Sequence, residues 1–231
     1  MQFELLESLM RLKSAVVALI LALLGLAFQV CYADSLTFTG VGGQNTDGVY
    51  VYPYYFTVTG PDGSQSLVSM SCLNFDRDVS IGDSWSVNVI GVSSITTNMT
   101  IDGETGLDIL ADAYLFNQYA AATGNAQQLS DIQFAIWSIM DPSDVSAESA
   151  FDSNAQALAA TALSVAPTLP SSAYESDTLF VPSGNYPNGG EPQEFLTDPP
   201  PGVVTTTPEP ASLLLVGTGL LGLAIVAHSS L

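Results

Sequence analysis

Two apolar runs, one near each end, confine the part of this chain that can fold as a water-exposed domain to the stretch between them. The first run covers 15–30, follows Arg11 and Lys13, and gives way to Cys31-Tyr32-Ala33 before Asp34. A basic start, an apolar core of roughly 15 residues and a small-x-Ala site make the layout of a secretory signal peptide, so 1–33 is expected to be removed. The run is short for an uncleaved membrane anchor. The second run, 211–227, sits near the lower length limit for one bilayer-crossing helix. The Pro and Thr content of 198–207 reads as a stalk. Residues 34–197 remain, enough for one domain with a real core.

Removing the front segment changes the chemistry of what is left. The sequence holds 23 acidic and three basic residues. Glu4, Glu7, Arg11 and Lys13 all lie in 1–33, which leaves 21 acidic residues against Arg77 alone. Such a surface repels nucleic acid and anionic headgroups, and suits a polysaccharide matrix, cationic partners or divalent ions. A solvated acidic coat is the plainer alternative. Cleavage after Ala33 also removes Cys31, so Cys72 is left without an intramolecular disulfide partner. A leftover thiol in an oxidising compartment is reactive or paired elsewhere.

The pattern over 35–92 is strand-like. The segment 50–59 is rich in Val, Tyr and Phe, and Pro53 makes it an edge strand or splits it. Gly60-Pro61-Asp62-Gly63 is a turn, so the next run is expected to pair back as a hairpin. In that run Val68, Met70 and Cys72 point one way and Ser69, Ser71 and Leu73 the other, which puts Cys72 on the more apolar face. Trp85, Val87 and Val89 alternate in a further strand.

Helices follow. Thr105 to Asp108 is expected to cap a helix reaching about 122, with Leu107, Leu110, Ala111 and Tyr114 on one face. Ser130-Asp131-Ile132-Gln133 reads as a capping box opening a short helix that ends near Asp141-Pro142. A third helix is expected over 147–165, burying Phe151, Ala155, Leu158 and Ala162. Short extended pieces are expected at 178–181 and 194–197. The fold class is α+β, with a mostly antiparallel sheet packed beside two or three helices.

Elimination narrows the chemistry. His228 is the single histidine and lies in the tail, so Ser-His-Asp and Cys-His catalysis and His-bearing zinc sites are excluded from the domain. Lys13 is the only lysine, which removes a phosphate-loop lysine and Schiff-base chemistry. A basic footprint for nucleic acid is missing. Two acidic groups, Asp76/Asp78/Asp83 and Asp102/Glu104/Asp108, offer oxygen ligands for a hard cation without matching an EF-hand, and read equally as solvated loop carboxylates. No metal site, cofactor or turnover enzyme is assigned.

Two resemblances add to this reading. Thr207-Pro208-Glu209-Pro210, followed by the apolar run with Gly217-Thr218-Gly219-Leu220-Leu221-Gly222-Leu223-Ala224 inside it, resembles PEP-CTERM sorting signals. His228 is followed by Ser229, Ser230 and Leu231 rather than by the basic cluster of such tails. The resemblance implies a sorting motif Pro208, Glu209 and Pro210 within 208–231. It further implies recognition by an exosortase-type protease, membrane attachment through 211–227, and export to the cell surface. Within the domain, Ile132-Gln133-Phe134-Ala135-Ile136-Trp137 resembles the glutamine motif of bacterial thioester domains, and Cys72-Leu73-Asn74 their cysteine motif. Ser71 stands where those domains commonly carry an aromatic or leucine. The resemblance implies an internal thioester between Cys72 and Gln133, shielded by Trp137, and capture of a nucleophile-bearing partner or exopolysaccharide. It implies a covalent adhesin. The alternative is an acidic structural protein of the extracellular matrix with a free Cys72. In that reading Gln133 bonds back to Ser130, and Cys72 and Trp137 are ordinary core.

Overall fold

The computed structural model describes residues 34–43, 45–183, 186 and 192–198. The signal segment 1–33, the stalk beyond Asp198, the Pro208-Glu209-Pro210 motif and the apolar run 211–227 lie outside the described residues. Among the described residues no helix is long and apolar enough to cross a membrane.

In chain order the strands before the helices are β1 (Asp34–Val41), β2 (Asn45–Thr46), β3 (Val49–Tyr50), β4 (Tyr54–Thr59), β5 (Gln65–Cys72), β6 (Ser84–Gly91), β7 (Thr100–Ile101) and β8 (Glu104–Thr105). The helices are α1 (Gly106–Phe116), α2 (Tyr119–Ala122), α3 (Ala126–Met140), α4 (Pro142–Val145) and α5 (Ser153–Val165). Strands β9 (Thr178–Pro182) and β10 (Phe195–Thr197) follow. The architecture is α+β, as expected, but the sheet does not stay open. Six strands close into an antiparallel barrel in the order β1-β4-β5-β10-β9-β6, with β6 returning to β1. Closure removes the exposed sheet edges that a half-open sheet of this length would present.

Local chemistry accounts for the hairpin. The Gly60–Gly63 turn closes with Gly63 N–H donating to the Gly60 carbonyl at 2.9 Å, and Thr59 pairs with Gln65. Pro53 splits its segment as expected, separating β3 from β4. Period-two alternation then sorts β5. Val68, Met70 and Cys72 enter the barrel interior, where they pack with Phe56, Trp85, Phe180 and Phe195. Leu73 lies instead in the second core, between the outside of the barrel and the helices. Strands β9 and β10 are buried almost throughout, because one face lines the barrel and the other meets the helices.

The helical expectations need three corrections. The first helix stops at Phe116, not near 122; Asn117 and Gln118 intervene before α2. Its N-cap is Thr105, as expected, accepting from Asp108 N–H. Its deepest residues are Ile109, Ala111, Ala113 and Leu115, whereas Leu107 and Tyr114 are only partly buried. The second helix begins at Ala126, with the Asn125 side chain accepting from Gln128 N–H at 3.2 Å. Ser130 is therefore inside the helix, and the expected capping box does not form. The segment 147–165 yields a helix only from Ser153, capped by Asp152. Phe151 precedes it, half-buried, while Ala155 and Ala162 are buried as expected.

Helix α3 is enclosed from Leu129 to Trp137, the pattern of a central helix rather than a surface one. Phe134 and Trp137, three positions apart, join the barrel-interior cluster; Ile132, Ala135 and Ile136 join the helical core. Gln133 is thus carried into the seam between the two cores.

Candidate functional site

The site forms where the end of β5 meets the middle of α3. Cys72 and Gln133 are both 0% exposed. Gln133 Nε2 donates to the backbone carbonyl of Cys72 at 2.7 Å. Its Oε1 accepts from the Tyr119 hydroxyl at 2.9 Å and from the Ser71 hydroxyl at 3.3 Å. Both lone pairs of Oε1 and one N–H of Nε2 are thus engaged, and none of these bonds runs to Ser130. The Ser130 hydroxyl has no hydrogen-bond partner at all. The capping alternative for Gln133 is thereby removed by geometry.

Cys72 is a free thiol in the barrel interior, opposite Phe195 of β10. Its Sγ–H donates to the Asn74 carbonyl at 3.1 Å. Burial pushes the thiol up to about 12, because desolvation outweighs the Trp137 indole and the Gln193 amide, both of which favour the thiolate. The Trp137 N–H makes no well-formed hydrogen bond, so its effect on the sulfur is that of a nearby dipole. The Trp137 ring is 2% exposed and packs edge-on to Phe75 and Phe134, each with centroids 5.1 Å away.

A cavity of about 330 Å³ opens beside this sulfur shell. Tyr50, Tyr54 and Phe75 line it, and Asn74, Trp137 and Gln193 form part of the same wall. Those last three are the groups that act on the Cys72 thiol. Trp137 thus neighbours the thiol and lines the cavity, together with Asn74 and Gln193.

The acidic groups regroup on folding. Asp76, Asp78 and Asp83 do not come together as one cluster. Asp83 accepts from Ser80 N–H at 2.8 Å and from the Tyr186 hydroxyl, whereas carboxylate oxygens of Asp76, Asp141 and Asp144 lie within 4.8 Å of one another. Asp102 approaches Arg77 at 3.9 Å. Four acids outside those two groups, Asp112, Asp131, Asp177 and Glu194, are buried. Burial pushes Glu194 up to about 8 against the pull of Arg77, and holds Asp112 well above the carboxylate range with both oxygens unpartnered. Sequence reasoning also missed Tyr119, Ser71 and Gln193 as neighbours of the site. Only Ser71 carried a signal, as the polar residue beside the cysteine.

No known protein family matches the chain, and no curated protein does. Among solved structures it is similar to the N-terminal thioester domain of a surface protein from Clostridium perfringens, with 10% identity, a TM-score of 0.39, and coverage of 71% of this chain and 98% of that one. It is also similar to the N-terminal domain of the Streptococcus pyogenes pilus tip adhesin Cpa, with 17% identity, a TM-score of 0.33, and coverage of 73% and 94%. Both likenesses are distant, and the reading of Cys72 and Gln133 rests on the distances given above.

Proposed function

We propose that this chain is an exported, surface-displayed bacterial protein that acts as a covalent adhesin through an internal thioester between Cys72 and Gln133. The observation that carries the reading is the 2.7 Å bond from Gln133 Nε2 to the Cys72 carbonyl inside a buried seam, which joins positions 61 apart in sequence. In the condensation, Cys72 Sγ attacks Gln133 Cδ. The C–S bond forms, the C–N bond breaks, and Nε2 leaves as ammonia with the thiol proton. A partner's amine or hydroxyl then attacks the same carbon, the C–S bond breaks, and sulfur takes the proton that the nucleophile releases. The partner finishes bonded to Gln133. This is one event per molecule, not turnover.

Composition supports survival of such a bond. With Lys13 in the front segment, 34–197 holds no lysine amine to intercept it. Burial under Trp137 limits hydrolysis. The partner is a nucleophile-bearing surface or exopolysaccharide, and the Pro208-Glu209-Pro210 tail is the substrate of an exosortase-type protease at the membrane. N-terminal sequencing is expected to begin at Asp34.

Intact mass tests the chemistry. The exported protein should be lighter by one ammonia, should take up methylamine at Gln133, and should expose one thiol as it does. A protein of full mass whose unfolded chain yields a free thiol before any amine is added would sink the adhesin reading and leave the acidic matrix protein in its place.

A further inference from the structure

Gln133 Oε1 has two lone pairs and two hydroxyl donors. Tyr119 donates at 2.9 Å, already in the range of a well-made bond, and Ser71 at 3.3 Å, still long. The two hydroxyls lie 3.3 Å from each other, so they converge on one oxygen from adjacent directions. Tyr119 is fixed before any reaction. Its ring stacks on Tyr52 with centroids 4.0 Å apart at 12°, and meets Phe116 edge-on at 5.9 Å. The amide cannot turn Oε1 away without losing the Nε2 bond to the Cys72 carbonyl.

We propose that the Tyr119 and Ser71 hydroxyls form an oxyanion hole for Gln133, stabilising the tetrahedral centre through which the thioester is both made and opened. The inference rests on the thioester reading above and adds to it the residues that carry the developing charge. When Sγ, or later a partner amine, attacks Cδ, the carbonyl electron pair moves onto Oε1. When the centre collapses, that pair returns and expels ammonia in the first step or the Cys72 sulfur in the second. Hydrogen bonds to an ionised oxygen are shorter and stronger than those to a neutral amide oxygen. The long Ser71 contact has room to shorten as charge grows, so the pair binds the transition state more tightly than the ground state. Desolvation keeps the Tyr119 phenol protonated, and therefore a donor, throughout. Ser71, which occupies the position of an expected aromatic or leucine, thereby acquires a reason to be polar.

The test uses the full chain and two variants, Tyr119→Phe and Ser71→Ala. Tyr119→Phe keeps the stacked ring and removes one donor. Intact mass gives the fraction that has lost ammonia, and the rate of methylamine uptake is read per thioester-bearing molecule. Tyr119→Phe is expected to slow uptake about 100-fold, and Ser71→Ala about tenfold, at melting temperatures close to that of the unaltered chain. A folded Tyr119→Phe chain that never loses ammonia also supports the pair, because formation crosses the same tetrahedral centre. If Tyr119→Phe fails to fold, Ser71→Ala decides, and an unchanged rate there overturns the inference. Unaltered protein that loses ammonia while both variants react at its rate overturns the hydroxyl pair and leaves the thioester standing. Unaltered protein that never loses ammonia overturns both.

Discussion

Gln133 binds the main chain of Cys72, not its side chain: the 2.7 Å bond from Nε2 ends on the carbonyl oxygen, while the thiol turns into the barrel and donates to Asn74. The thiol lies in the barrel interior, and Gln133 reaches the strand end from α3, the helix whose Trp137 also neighbours the thiol. Three polar groups, the Cys72 carbonyl and the hydroxyls of Ser71 and Tyr119, depend on one glutamine for satisfaction.

That dependence makes Gln133→Ala a sharp test of the seam. The variant leaves a buried carbonyl and two buried hydroxyls without their shared partner, and each unsatisfied group costs about 1–3 kcal/mol. The two hydroxyls, 3.3 Å apart, are then free to bond to each other, which recovers part of the loss. Urea unfolding should show a loss of about 3 kcal/mol, and intact mass should show no loss of ammonia. A change within about 0.5 kcal/mol, the usual effect of a surface substitution, would contradict the burial described here.

The alkaline limb of the stability curve reports whether Cys72 is bonded. A free Cys72 has its pKa raised from 9.0 unfolded to about 12 folded, so the folded state holds the proton more tightly. The stabilisation is complete below pH 9 and is lost as pH rises towards 12. Protein with a free thiol should therefore lose stability over that window faster than Cys72→Ala. Protein carrying the thioester has no thiol to titrate and should run parallel to Cys72→Ala. Stability measured from pH 8 to 11 in the two chains separates the states.

Parts of this site were legible from residue order and parts were not, for physical reasons. Alternation places Cys72 inside because Val68 and Met70 share its face, and the Gly60–Gly63 turn sets the register that carries it there. The end of α3 at Asp141 is marked by Pro142. Barrel closure leaves no such trace. It depends on β10, three residues long, pairing Phe195 with Cys72 and Phe180, partners distant in sequence. A strand that short carries no periodicity to read. Tyr119 was hidden because α1 breaks at Asn117 and Gln118 without glycine or proline, so a continuous helix points it elsewhere. The start of α3 was misplaced because Ser130-x-x-Gln133 matches a capping box, while Asn125 holds the cap.

Glu194 supplies a prediction away from the thiol. Its carboxyl is raised from 4.5 to about 8, first by burial and against the favourable field of Arg77. A raised acid stabilises the fold below its unfolded pKa and loses that contribution as pH rises through the folded one. Glu194→Gln cannot ionise, so it should match the unaltered chain near pH 4.5 and melt at a higher temperature above pH 8. Equal melting temperatures at pH 9 would show that Glu194 is hydrated in solution.

If the proposed thioester forms, Trp137 is expected to set how long it lasts. Its ring lines the cavity of about 330 Å³ beside the thiol, and its buried N–H has no hydrogen-bond partner. Trp137→Ala would remove most of that wall at a folding cost of about 3–5 kcal/mol, which confounds lifetime with unfolding. Trp137→Phe is the better probe, because it keeps an aromatic ring against Phe75 and Phe134 while thinning the barrier. Water then reaches Gln133 Cδ more often, and hydrolysis converts the glutamine to glutamate with release of the thiol. Over days at neutral pH, intact mass should show the Trp137→Phe chain gaining one water several times faster than the unaltered chain. Its melting temperature should be only modestly lower. Equal hydrolysis rates would mean that Trp137 is core and that the barrier lies in the aromatic packing of the barrel itself.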